Sequence, residues 1–493
     1  MRKRSIAVFA IAFLCAARAA CAQQPPPTLP LPGASPAAAA SPSPAPAPSL
    51  APAGMIPATV ALHTTGSPAD PAFLETQIRG VLNRSIRPTL RPGASVSYGP
   101  FVPWPLLPLV PGQTAAVNVT VTITGDAATA GVTGTTTVVI DNTAVPPATP
   151  AVLYLSDDPE YLQANGLVFQ GTVDPGRPAR LYYYQDDIGV PRDLDVVLTA
   201  KAPARVHVIA SRAGPDLDVM SVGHTVSRDF LLFQRAGEGI VVDLEPGKPF
   251  IVRHDLLLQG EVVAGAIDLQ VLNGEGATVS VVASAAGGRP EAYLDGPRIP
   301  LDGHHRHGRF DLTNYGDIAA TYTVGGPDVS VKYGGTTPTL RNLDAGDPGR
   351  DYGDYGVVHR ITFTLANPTG DEHLVYLYEK PLGGPVRSTF FVDGQLKELG
   401  CVRLRQPYWL MTYRLPPHST GASTTLTMTD GGSFYPIELG VSATQPIAYT
   451  PPPGTPDGCS PVVSAPASPP PSVSPSVPPS PSPWPSLGPN AGR

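Results

Sequence analysis

Between Val117 and Thr124 apolar and polar side chains alternate without a break, with Val117, Val119, Val121 and Ile123 on one side and Asn118, Thr120, Thr122 and Thr124 on the other. A period of two sends successive side chains to opposite faces, so this segment predicts a strand with one buried and one wet face. A glycine-containing turn leads to a partner strand at 135–140, and 59–63 reads as a third. The period changes between them. Phe73, Leu74, Ile78, Val81 and Leu82 recur at helical intervals behind Asp70-Pro71, an N-cap followed by a first-turn proline. Residues 56–150 are therefore expected to form a small α+β domain, one helix laid on a sheet.

From 151 onward the pattern is short β runs at 180–184, 194–199, 205–209, 239–244, 266–272 and 278–282, punctuated by Asp187, Gly189 and Pro246-Gly247. One helical patch interrupts them, with Val222, Val226, Phe230 and Phe233 on one side and Gly237 where a C′ glycine belongs. This predicts a β-sandwich domain over 151–300 with an inserted helix. A hinge with strands follows over 301–356, then a second sandwich over 357–448. The order of features recurs: 360–364 echoes 180–184, Leu415-Pro416-Pro417 echoes Leu244-Glu245-Pro246, and 437–441 echoes 267–271, as a diverged duplication would. The turn Asn367-Pro368-Thr369-Gly370 and the terminal Ile437-Glu438-Leu439-Gly440-Val441 run resemble immunoglobulin-like modules of bacterial envelope proteins, a likeness of architecture that assigns no residue a role. The expected class is mainly β: a small α+β N-terminal domain followed by two antiparallel, Ig-like β-sandwich domains between disordered proline-rich tails.

The ends change the picture from fold to compartment. Arg2, Lys3 and Arg4 precede an apolar run from Ile6 to Leu14 and then Ala20-Cys21-Ala22, the layout of a signal peptide over 1–22. A lipoprotein reading of Cys21 meets Arg18 where an aliphatic residue is wanted. Proline, alanine and serine dominate 23–55 and 449–493, too little apolar surface to offset the entropy of ordering. No later run is long and apolar enough to span a bilayer, so the expected product has no transmembrane segment after cleavage and is extracellular, periplasmic or envelope-associated. Cys401 and Cys459 then remain; bridged, they would pin the root of the tail to the last domain and contribute about 4 kcal/mol. A net charge of −7 with 15% charged side chains and no basic stripe excludes nucleic-acid binding as a partner class.

Candidate chemistry is sparse. Asp302-Gly303-His304-His305-Arg306-His307 offers imidazoles and a carboxylate to zinc or copper, yet it matches no strong zinc spacing and carries Arg306 in its middle; a solvated interdomain loop is the competing reading. Asp344, Asp347, Asp351 and Asp354 among glycines offer calcium its oxygens without the register of a calcium loop, or form a polar hinge. His207 and His359 sit in strand-like runs as structural histidines, no G-x-S-x-G elbow occurs, and Asp157-Asp158-Pro159-Glu160 reads as a turn or helix start. Trp104 lies in the apolar loop 101–110, which either contacts a partner or membrane surface or covers the open face of the sheet. Tyr183, in the run Tyr182-Tyr183-Tyr184, and Trp409 are candidate surface contacts, since one of three consecutive strand residues must point away from any single core. The expected function is a non-catalytic binding or spacer protein whose partner is a cell-wall or surface glycan or another envelope protein. The alternative is a secreted hydrolase of polysaccharide or peptide, metal-assisted at a domain junction.

Overall fold

The computed structural model describes residues 50–335, 340–346 and 349–450. The described residues are mostly β, in several sheets with no closed barrel among them. Helix α1 (Pro71–Ile86) begins where the Asp70 side chain accepts from the Ala72 N–H at 2.8 Å, and buries Phe73, Leu74, Ile78 and Leu82. Helix α2 (Val219–Ala236) is capped by Asp218, and ends at Gly237 with φ 66°, a left-handed conformation that costs glycine nothing.

Among the described residues the largest sheet has eleven strands. In spatial order they are Arg341–Asn342, His307–Asp311, Val152–Ser156, Ala179–Asp187, Glu261–Asn273, Ala204–Asp216, Gly239–Leu244, Thr59–Thr65, Val132–Asn142, Thr114–Thr124 and Ser95–Val102. The expected boundary at 150 falls inside this sheet, because Thr64 and Thr65 pair with Ile240 and Gly239. Most pairs are antiparallel, but Thr59–Thr65 runs parallel to Val132–Asn142, and Val152–Ser156 parallel to Ala179–Asp187.

One face of the sheet packs on α1 and on a second sheet of Phe250–Leu257, Arg192–Thr199, Ala277–Ala285 and Gly166–Val173, enclosing a core that includes Leu62, Ile78, Val119, Leu181, Val208 and Val281. At its centre the opposite face packs on α2 and the C-terminal module, through Leu155, Tyr182, Val226, Phe230, Ala266 and Phe391. Val152–Ser156 is thus buried along its whole length, and Ala179–Asp187 nearly so. This double burial corrects the reading of Tyr183 as a surface contact. Its ring is 0% exposed and lies over Gly265, whose missing side chain makes the room. With both faces covered, none of the three tyrosines has to face water.

The C-terminal module closes a third core, including Phe363, Leu377, Phe390 and Leu439, between two sheets of five and four strands among the described residues. The suspected duplication is not mirrored in pairing: Ala179–Asp187 is the neighbour of Glu261–Asn273, whereas their counterparts Val358–Asn367 and Ile437–Ser442 lie in different sheets.

Candidate functional site

A cleft of about 1,020 Å³ opens where the large sheet, the C-terminal end of α2, the segment Thr143–Ala151 and the C-terminal module meet. Its floor is made by alternate residues of three neighbouring strands that point to the α2 side: Arg180, Asp268 with Gln270, and His207 with Ile209. Arg180 and Asp268 form a two-pronged ion pair at 2.7 and 3.1 Å. Arg180 also donates to the Gly356 carbonyl at 3.1 Å and lies over the Phe230 ring at 4.7 Å, tying the floor to α2 and to the C-terminal module. Gln234 on α2 donates to Asp268 Oδ2 at 3.1 Å, sharing that oxygen with Arg180. The central charges of the floor are thus already paired, while Arg235, Arg360 and Asp317 line the cleft with exposed side chains.

His207 brings a hydroxyl and an imidazole together, 3.0 Å from the Thr65 Oγ1. The direction of that bond decides what the pair can do. The Thr65 hydroxyl donates its proton to the Gly237 carbonyl at 2.6 Å, and a carbonyl can only accept. The His207 contact must then be an Nε2–H donated to Thr65, the reverse of a base activating a nucleophile. Burial pulls the His207 pKa down to about 4, so the ring is neutral at ordinary pH. His359, the other strand histidine, is buried beside Tyr333 at 5.2 Å, and neither ring nitrogen has a hydrogen-bond partner among the described residues.

The histidine run does not converge. His305 sits between two carboxylates, Nδ1 at 2.6 Å from Asp302 and Nε2 at 3.2 Å from Glu160. Burial acts to lower its pKa, but the Asp302 hydrogen bond and the two carboxylates outweigh it and hold the pKa above the ordinary range. Arg306 pairs instead with Asp157 at 2.5 Å and lies 3.9 Å over the Tyr355 ring. His307, at the start of its strand, is 3.2 Å from the buried Asp158. His304 is exposed. The chain bends at 303–305 before the strand begins, so His305, Arg306 and His307 point apart and meet different carboxylates. Among the described residues no group of three or more His, Cys, Asp or Glu side chains is placed to hold a metal ion. The acid-rich Asp157-Asp158-Pro159-Glu160 segment, read from sequence as a turn or helix start, supplies the acidic partners of His305, Arg306 and His307.

The aspartates also separate. Asp344 pairs with Arg309 at 3.2 Å, while Asp354 accepts from the Tyr315 hydroxyl at 3.0 Å and the Gly335 N–H at 2.8 Å. Asp351 has its pKa pushed well up by burial and by Asp354 nearby, and Asp347 lies outside the described residues. Cys401 is disulfide-bonded, and Cys459 lies outside the described residues. Trp409 is half-buried and donates to the Thr412 hydroxyl at 2.9 Å. Trp104 is 61% exposed.

Sequence reasoning missed the cleft because Thr65, Arg180, His207, Gln234 and Asp268 come from distant segments and none belongs to a motif. No family model and no curated protein matches the chain. Solved structures to which it is similar include Lac15 from a marine microbial metagenome, at 10% identity over 67% of this chain and 73% of that one, with a TM-score of 0.13. Another is tripeptidyl peptidase 2, at 11% identity over 72% and 30%, TM-score 0.16. A third is the tandem CBM22 domain of Xyn10C from Paenibacillus barcinonensis, at 10% identity over 72% and 92%, TM-score 0.12. At these TM-scores the likeness carries no argument about function.

Proposed function

We propose that this is an exported, non-catalytic binding protein whose C-terminal module is immunoglobulin-like and whose cleft takes an extended polar ligand, a surface glycan or a peptide of another envelope protein. The observation that carries the reading is the cleft itself: about 1,020 Å³ in volume, edged by Arg235, Asp317 and Arg360, with its one hydroxyl–imidazole contact turned away from catalysis. A cleft of that size suits several sugar or amino-acid units, and exposed donors at its margin suit recognition by hydrogen bonds. The basic, apolar and Ala-Cys-Ala features of residues 1–22 support export, and the proline-rich ends support a tethered module.

The test is a glycan and peptide array probed with the mature chain and with an Arg235→Ala/Arg360→Ala double variant. One ligand class should be retained by the parent and weakened about tenfold or more by the variant. Binding equal in both places the ligand elsewhere. Release of new reducing ends or amino termini from a bound polymer would favour the hydrolase instead.

A further inference from the structure

The segment from Phe101 to Val110, the end of strand Ser95–Val102 and the loop that leads to Thr114–Thr124, divides its apolar side chains between two environments. Phe101, Leu106 and Leu109 are buried and help to close the first core. Val102, Trp104, Leu107 and Val110 face outward at 57, 61, 75 and 43% exposure. The buried set holds the outer set in place. Leu109 exchanges backbone hydrogen bonds with Ala69 at 2.9 and 3.1 Å, and its carbonyl accepts from the buried Asn142 amide at 2.5 Å. Covering the sheet, as the sequence allowed, thus accounts for only half of this loop.

From these observations we infer that the loop is a wedge that inserts into the surface of an electrically neutral lipid layer. Its surroundings say which occupant suits it. From Pro92 to Gly125 there is no Asp, Glu, Lys, Arg or His, so strand, loop and strand bring no charge of their own to a low-dielectric layer; Arg79 of α1, 5.0 Å over the Phe101 ring, is paired with Glu75. The backbone is partly prepared for the same environment. Pro103, Pro105, Pro108 and Pro111 carry no N–H, and the N–H groups of Leu109 and Val110 are bonded within the protein, to the Ala69 carbonyl and the Gln113 side chain; those of Trp104, Leu106 and Leu107 have no partner among the described residues and would stay at headgroup level, where acceptors are at hand. Hydrocarbon offers no partner for a free amide, so removing or satisfying donors matters there far more than against a protein surface, which can supply acceptors. Trp104 has the amphipathic ring that settles at the boundary between headgroups and chains. Because the loop is already held by its buried half, little freedom is lost on insertion.

The probe is the mature chain with phosphatidylcholine vesicles, read by co-sedimentation and by tryptophan emission. Binding is expected at low and high salt alike and without gain from added phosphatidylglycerol, with a blue shift that disappears in Trp104→Phe. Leu107→Asp should lower partitioning by about tenfold or more, while Leu217→Asp, at a leucine 63% exposed outside the loop, leaves it unchanged; both variants should keep the parent's circular-dichroism melt. Failure to sediment with any vesicle overturns the inference, and so does binding that requires anionic lipid and vanishes in salt. If the parent ignores vesicles but Leu107→Asp turns a dimer into a monomer, the loop meets a second copy and the lipid assignment falls. None of these results bears on the cleft, whose array experiment stands apart.

Discussion

Glu379 is wholly buried in the C-terminal module, with the Ser388 hydroxyl donating to it at 2.5 Å, and burial lifts its pKa to about 8. The unfolded carboxyl titrates near 4.5, so between about pH 4.5 and 8 the folded chain holds a proton that the unfolded chain has released. The stability contributed by neutral Glu379 is complete below about 4.5 and is lost as pH rises through 8, at about 1.4 kcal/mol per pH unit. His207, at about 4, acts in the opposite sense but only below its unfolded value near 6.5, where the unfolded ring gains a proton that the folded ring refuses. From pH 6.5 to 8 the His207 effect is absent, while Asp157, lifted by burial to about 8, acts in the same sense as Glu379, so the share of Glu379 is read as the difference between parent and variant. Denaturant melts there should show stability falling with pH in the parent and falling less steeply in Glu379→Gln. At Arg180 the stakes are geometric: Arg180→Ala leaves Asp268 half-satisfied beneath the cleft and should cost about 3–5 kcal/mol, read as a lowered urea midpoint.

Among the elements, α2 is held where it is by what it lacks. A Cβ on Gly223 would lie 1.6 Å from the Gly431 carbonyl oxygen, so helix and C-terminal module touch backbone to backbone at that point. Helix propensity alone favours alanine over glycine by about 1 kcal/mol. The contact reverses that sign. Gly223→Ala should lower the melting temperature and speed proteolysis near Gly431, whereas Gly237→Ala should cost only about 1 kcal/mol for its left-handed backbone. The same element was readable from sequence, since Val222, Val226 and Phe230 mark one face and Gly237 its end. Strands with one wet face were readable too, Thr114–Thr124 above all. Ala179–Asp187 was placed correctly but its exposure was misjudged, because a strand covered on both faces loses the alternation that would say so.

At the scale of the whole molecule, the sheet runs through the expected boundary at 150, and the first core draws on both sides of it, with Ile78 and Val119 beside Leu181 and Val281. Residues 56–300 should therefore melt as one cooperative unit in calorimetry, and a chain cut between 150 and 151 should not recover the parent's transition. Sequence could not announce this, because the strand pairing across the boundary is only Thr64 and Thr65 against Ile240 and Gly239, two residue pairs far apart in the chain. The same distance hid the cleft. For the histidine run, sequence named His305 and His307 but not their partners Glu160 and Asp158, and the partners decide the chemistry. Elemental analysis of untagged protein should accordingly find no stoichiometric zinc or copper. His307→Ala should lower stability by stripping the buried Asp158 of its neighbour, without changing metal content.

The segment Thr143–Ala151 borders the cleft and carries Pro146, Pro147 and Pro150. Each ring fixes a backbone torsion before any ligand arrives. That border should behave as a stiff rail instead of a flap: capture would proceed without a slow closing step, and loosening the rail with glycines should weaken holding through entropy while the donors and acceptors of the cleft stay in place.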